Sequence, residues 1–396
     1  MLKKRPIKEN SDNFVDKTLL IKEFLDIGGK VTLVTRPKGF GKSVNVSMLA
    51  EFFDMTKDSQ KLFKGTQIMD TSYVSEINQY PVIYLSFANA KGTKEDVVQG
   101  IKDQLQKEYA KYAYVFENMN EYEQSDYERI KVGLLASDNG NLSDVNRSIA
   151  FLMSRLKKLY HKNVMVFIDG YDTPFIESHI GGFYKDIKGP LSMLFRTALK
   201  SSDDLQFAFL TGVQYVEEGA LDNARVYTVA NNAYAKYFGF TAQETEELLK
   251  CYGLELTDEV GQKSGGYRIG HQDIYNPRLL MNYVHNCELG LCWMNTSEVV
   301  MIRNVLKEVV TGDDSFIEQC EDLIAYGKIK LDAVLGISFY ENASMDILWG
   351  LLINAGYSTI DEEVGDDEYQ VRVPNKEIEK DFIKLIEHHL LLKNSD

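Results

Sequence analysis

Apolar positions along this chain fall into short unbroken runs separated by longer stretches with helical spacing. Val31-Thr32-Leu33-Val34 is the first such run, and segments 80–87, 163–169 and 205–212 repeat the pattern. A run apolar on both faces suits a strand covered by helices on both sides, the setting of a parallel sheet. Helices are expected at 19–25, ended by Gly28-Gly29, and after Ser43, where Val44, Val46, Met48, Leu49, Phe52 and Phe53 recur. Further helices are expected at 94–113, 143–160 and 190–200, and a last strand at 226–229. Residues 114–142 are acidic and polar and read as a surface excursion. Strand and helix alternating from 31 to 230 predict an α/β fold, a mostly parallel sheet flanked by helices.

The pattern changes at Thr241-Ala242-Gln243-Glu244, a capping box that opens a helix to Cys251. A turn-rich stretch, 264–270, and Ile274-Tyr275-Asn276-Pro277 precede a helix at 278–287. Residues 296–392 read as mainly helical, with a small extended pair near Tyr357 and at 369–373. The acidic run 361–368 reads as a solvated hairpin tip. These shifts suggest three parts: 1–235, a helical lid-like region at 236–310, and a mainly helical C-terminal region at 311–396.

The candidate chemistry lies at the first turn. Strand 31–34 runs into Thr35-Arg36-Pro37-Lys38-Gly39-Phe40-Gly41-Lys42-Ser43 and then a helix, the context of a phosphate-binding (Walker A) loop. Unpaired amides at a helix start and the helix dipole favour an anion. Gly39 and Gly41 let the backbone curl towards it. Lys42 would reach the phosphates and Ser43 would help hold Mg²⁺. Arg36 stands where the motif G-x-x-x-x-G-K-[ST] has its first glycine; it either neutralises phosphate or pairs with an acid.

A second feature supports this one. Residues 163–168 end in Asp169, and ligands of open α/β sheets bind at the carboxyl ends of strands. One carboxylate plus phosphate oxygens is a hard-ion site fit for magnesium. Many ATPases of this architecture follow that acid with a glutamate that orients the attacking water, but here the position is Gly170. Asp172 is the nearby acid that could substitute, with Glu177 further on; each also fits solvated turn chemistry. Thr211, at the end of strand 205–212, either senses a γ-phosphate or closes a turn with Gly212.

Charge and cysteine content narrow the classes. A net charge of −15 argues against broad coating of nucleic acid or anionic membrane, although a local basic groove is compatible with it. Four cysteines in 396 residues make no disulfide framework, so a reducing cytoplasm is expected. His285, Cys287 and Cys292 lie near one another, but a fourth metal ligand is not apparent, so buried thiols are the simpler reading. No apolar run is long enough to span a bilayer.

Several segments together resemble the bacterial AAA-ATPase-like family, often fused to a nuclease-like domain of the PD-(D/E)XK type. They are Phe14-Val15-Asp16-Lys17-Thr18, the Arg36 to Ser43 loop, Ile168-Asp169 with Tyr171-Asp172-Thr173-Pro174, Thr211-Gly212-Val213, Gly266-Tyr267-Arg268 and Ile274-Tyr275-Asn276-Pro277. An arginine at position 36 is normal for that family. The resemblance implies a P-loop NTPase fold and binding of ATP by Lys42 and Ser43, with Asp169 as the Mg²⁺ acid. Arg268 would either reach the nucleotide from the helical region or form a structural salt bridge.

The departures cluster on catalysis. The family's Asp-Glu-Tyr-Asp is here Asp169-Gly170-Tyr171-Asp172, its second loop arginine is Gly39, and its basic segment after Thr-Gly is Gln214-Tyr215-Val216-Glu217-Glu218. An aromatic segment before Gly266 is replaced by Gln262-Lys263-Ser264. No D…E-x-K constellation is found, and the chain stops near where the nuclease-like domain would begin, so that domain is expected to be absent. The expectation is an ATP- and Mg²⁺-binding protein whose hydrolysis is weak or needs a partner's residue. The alternative is a non-catalytic pseudo-ATPase acting as an interaction or regulatory module, with a protein partner on the C-terminal helical region. Nuclease or defence association is suggested only by the family's usual company.

Overall fold

A computed structural model describes residues 15–136, 141–216, 221–286, 297–309, 315–337 and 344–393. The four apolar runs and one short segment form a single five-stranded sheet: β1 (Val31–Thr35), β2 (Val82–Ser86), β3 (Val164–Asp169), β4 (Leu205–Gly212) and β5 (Arg225–Tyr227). Every pairing is parallel and the order is β2-β3-β4-β1-β5. β4 therefore lies between the strand that feeds the phosphate loop and the strand that ends in Asp169.

The sheet separates two buried cores, because alternate side chains of each strand face opposite ways. Val31, Leu33, Val164, Val166, Ile168, Ala208 and Leu210 face one core, with helices Lys94–Lys111, Glu121–Leu135, Ser148–Tyr160 and Tyr184–Leu199. Val34, Met165, Phe167 and Phe209 face the other, with helices Leu19–Ile27 and Lys42–Phe53. Phe24 sits at its centre, edge-on to Phe53, Phe167 and Phe209. This second core continues without interruption into the C-terminal part, through Tyr267, Trp349, Val371 and Phe382.

Several local expectations are corrected. Stretch 114–142 contains a 15-residue helix, Glu121–Leu135, opened by an Asn120/Glu123 capping box. It buries only Ile130, Gly133 and Leu134, which is why its apolar periodicity is faint. Pro174 starts a helix, Thr173–Ile180, where a turn was expected. The helix expected at 190–200 begins at Tyr184 and contains Pro190. Stretch 264–270 opens a short hairpin, β6 (Tyr267–Ile269) with β7 (Gln272–Ile274). The small extended pair is a three-stranded antiparallel sheet, β8 (Ile329–Asp332), β10 (Glu368–Arg372) and β9 (Thr359–Gly365). Phe14, Glu217, Glu218, Cys287 and Cys292 lie outside the described residues. Among the described residues no helix is long and apolar enough to cross a membrane.

Candidate active site

The loop after β1 is shaped by two glycines in the left-handed region, Gly39 at φ 85° and Gly41 at φ 82°. Gly41 is the N-cap of helix Lys42–Phe53, and no side chain caps that helix. A Cβ on Gly41 would meet nothing within 4 Å, and Gly41, Lys42 and Ser43 at the helix start line an open cavity. The Lys42 ammonium folds back and donates to the carbonyls of Arg36 (2.7 Å) and Pro37 (2.9 Å). Ser43 is exposed at the helix start.

Sheet register builds the rest of the site. Ser86 pairs with Asp169, Asp169 with Thr211 and Thr211 with Val34, so these positions form one row across the carboxyl ends of the strands. Both oxygens of the buried Asp169 carboxylate accept a hydroxyl hydrogen bond, Oδ2 from Ser86 (3.1 Å) and Oδ1 from Thr211 (3.2 Å). A carboxylate has about four acceptor positions, so each oxygen keeps capacity for a cation. Asp169 and the loop residues Gly41, Lys42 and Ser43 share one cavity of about 260 Å³, and Lys91 from beyond β2 also lines it.

Asp172 also lines this cavity, but its carboxylate has a structural task. Oδ2 accepts the backbone amides of Val213 (2.6 Å) and Gln214 (2.9 Å). Gly212 makes the approach possible, since a Cβ there would come within 2.7 Å of the Asp172 carboxyl carbon. The Tyr171 hydroxyl fixes the same segment, donating to the Gln214 carbonyl and accepting from the Val216 amide. Thr211 likewise points at Asp169, so its hydroxyl acts on that carboxylate rather than on the cavity directly.

Neither candidate arginine lines this cavity: among the described residues Arg36 contacts neither the phosphate space nor an acid, and Arg268 takes the structural salt bridge. Arg36 is fully buried and faces away from the cavity. Its guanidinium donates to the carbonyls of Thr35, Tyr227, Thr228 and Ala233 and lies 5.5 Å from the Phe238 ring. Burial lowers its pKa to about 9, with the nearby Glu23 charge opposing that shift. It ties the loop to the strand-exit segment after β5. Arg268 sits on the β6–β7 hairpin, paired with Asp273 (3.1 Å) and donating to the Asp361 carbonyl (2.8 Å). It lines a different cavity, beside β9.

The family-like segments outside the loop are mostly supports. Lys17 is an almost buried cation held by Glu244 and the Lys236 carbonyl. Asp16 accepts from the Thr18 and Gln67 amides. Phe40 packs edge-on against Tyr267, and Asn276 and Arg278 stand against Gly39, where a Cβ would come within 3.3 Å of either residue. Sequence reasoning overlooked Ser86, Lys91 and Arg278. Ser86 was the most accessible of them, because it ends a buried strand as Asp169 does.

Gly170 deserves its own test. Its φ is 64°, and an added Cβ would lie 3.2 Å from the Ala88 amide and 3.1 Å from the Thr173 hydroxyl. A side chain there costs about 1–2 kcal/mol for left-handed backbone alone. Gly170→Ala is expected to lower stability by at least about that much in urea unfolding; an unchanged midpoint would contradict the strain. Gly170→Glu carries the same backbone strain.

A parallel sheet, a glycine-shaped loop running into an uncapped helix, and an acid at the carboxyl end of β3, one strand removed from β1, define a P-loop type α/β protein. The family model described as "Predicted AAA-ATPase" matches residues 4–221, more than half of the chain, and the protein belongs to that AAA-ATPase-like family. Among solved structures, the Walker-type ATPase PABY2304 of Pyrococcus abyssi is similar at 13% identity and a TM-score of 0.42, over 97% of this chain and 99% of that one. A search among curated proteins finds no match.

Proposed function

We propose that the protein binds ATP with Mg²⁺ at the loop and Asp169, and that its hydrolysis is weak or completed by a partner's residue. The observation that carries this reading is the shared cavity, in which Lys42, Ser43 and the open helix start face the doubly hydrogen-bonded Asp169. Lys42 and the amides at Gly41 to Ser43 hold the phosphates, and Ser43 and Asp169 hold the cation. Bound magnesium would offset phosphate charge. Among the described residues no three His, Cys, Asp or Glu side chains converge as a metal cluster. A cation held by one carboxylate and phosphate oxygens suits that donor set.

Weak turnover follows from what the other groups do. Orienting water needs a carboxylate with a free lone pair at the reacting phosphate. Gly170 has no side chain, and the Asp172 oxygen nearest the strand exit is spent on two amides. The pseudo-ATPase alternative rests on the same two facts.

The test is thermal unfolding with and without millimolar Mg-ATP. Ligand at about 100 times its Kd stabilises by about 2.7 kcal/mol, a rise of a few degrees in Tm. Lys42→Ala should remove the rise while leaving the apo Tm close to wild type. A wild type indifferent to Mg-ATP would end the nucleotide reading and leave the interaction module.

A further inference from the structure

On the far side of the sheet from the C-terminal part, helices Glu121–Leu135, Ser148–Tyr160 and Tyr184–Leu199 enclose a surface groove. It consists of two adjoining hollows, of about 720 and 640 Å³, that share Met193 and Arg196. Six cations line it: Arg129, Arg147, Lys185, Lys188, Arg196 and Lys200. Asp126 is its one lining carboxylate among the described residues. On a chain of net charge −15, six cations converging from three helices and their flanks concentrate the opposite potential in one concave strip.

These charges are only partly compensated by the protein itself. The Arg147 and Lys185 side chains are exposed and have no hydrogen-bond or ion-pair partner among the described residues. The Arg196 guanidinium donates to the Met193 sulfur, 3.3 Å away. Arg129 pairs with Asp126 and Lys200 with Asp222, both at the surface, where such pairs contribute little and exchange readily. Between the cations the floor is apolar, with Ile130, Ala150, Phe151 and Met193. Phe151 belongs to a near-parallel aromatic stack with Phe116 and Tyr127, with ring centroids 6.2 and 6.5 Å from its own.

We propose that this groove binds single-stranded nucleic acid, with the cations on successive phosphates and the apolar floor under a base or sugar. Three of the six cations are arginines, whose planar forks match phosphate oxygens in pairs. Alternation of cationic rim and aromatic floor is the chemistry of sequence-tolerant single-strand sites. A duplex keeps its bases stacked inside and offers nothing to the floor. An acidic peptide would satisfy the cations alone. The acidic remainder of the surface repels the strand beyond the groove, so the footprint is short and binding depends strongly on salt. The proposal is independent of the nucleotide reading, since the groove shares no residue with the phosphate-loop cavity.

Fluorescence anisotropy with labelled oligothymidylate and oligouridylate, within the ~4–16 nucleotides such sites cover, tests it. With about four phosphate contacts, log K should fall against log salt with a slope of about −3. Arg147→Glu combined with Arg196→Glu should weaken binding at least about tenfold, with the Tm unchanged because both residues are exposed. Lys42→Ala should bind the oligonucleotides as wild type does. Tighter binding of the uridylate or the thymidylate assigns RNA or DNA; either supports the proposal. No binding at about 50 mM salt, binding indifferent to the double reversal, or binding lost in Lys42→Ala would overturn it. So would a polyglutamate peptide that binds this groove more tightly than either oligonucleotide, or self-association abolished by the same reversal.

Discussion

Arg36→Ala is expected to destabilise the protein by about 3–5 kcal/mol, the cost of breaking a buried polar network. The side chain is fully buried, and its guanidinium satisfies carbonyls of Thr35, Tyr227, Thr228 and Ala233. A carbonyl left unpaired in the interior costs about 1–3 kcal/mol, and entry of water recovers part of that. The same residue spans the loop, β5 and the segment after it, so its loss also frees the backbone that positions Lys42. Arg36→Lys should recover little, because one ammonium cannot reach acceptors spread around a planar fork. Urea unfolding measures both variants. A loss under about 1 kcal/mol for Arg36→Ala would show that the network is not holding the loop. If Arg36 instead served phosphate, the variants would keep their stability and lose the Mg-ATP response, the reverse of the expected result.

Asp169→Asn is expected to weaken the magnesium-dependent part of ATP binding by about 100-fold or more, roughly 2.7 kcal/mol. The amide is nearly isosteric; one of the Ser86 and Thr211 hydroxyls keeps donating to its oxygen while the other turns to accept from its NH2, so the fold should persist. What goes is the negative charge, the protein's anionic contribution to a hard cation at this site. Thr211→Val removes one of the two hydroxyls that aim the carboxylate, and outer partners of this kind are worth about 10–100-fold. Magnesium titrations of the ATP-dependent Tm rise rank the three proteins. Equal magnesium dependence in wild type and Asp169→Asn would remove Asp169 from the metal site, and with it the assignment of Thr211 as its positioning residue.

Legibility differed from residue to residue for a physical reason. The strands were readable because burial on both faces demands continuous apolar sequence, which is local information. The phosphate loop was readable because its glycines, lysine and serine lie within a few positions of one another. Arg36, Asp172, Thr211 and Arg268 were not readable in the same way. Each was singled out as polar and near a motif, but polarity does not say which way a side chain points. Arg36 turns to carbonyls about 190 positions away, and Asp172 to amides 41 and 42 positions on.

By itself, then, the amino-acid sequence determined an alternating α/β chain, a loop able to cradle an anion and an acid at a strand end. Those properties depend on neighbours along the chain. Only the tertiary structure decided that β4 would lie between β1 and β3, which puts Ser86, Asp169 and Thr211 in one row and makes Thr211 a support for the acid. It alone placed the Asp172 Oδ2 on the Val213 and Gln214 amides, as a clamp on the strand exit. It alone gathered Arg129, Arg147, Lys185 and Arg196 into one groove. Strand order and helix packing set these distances, and they arise from contacts between segments that are far apart in the chain.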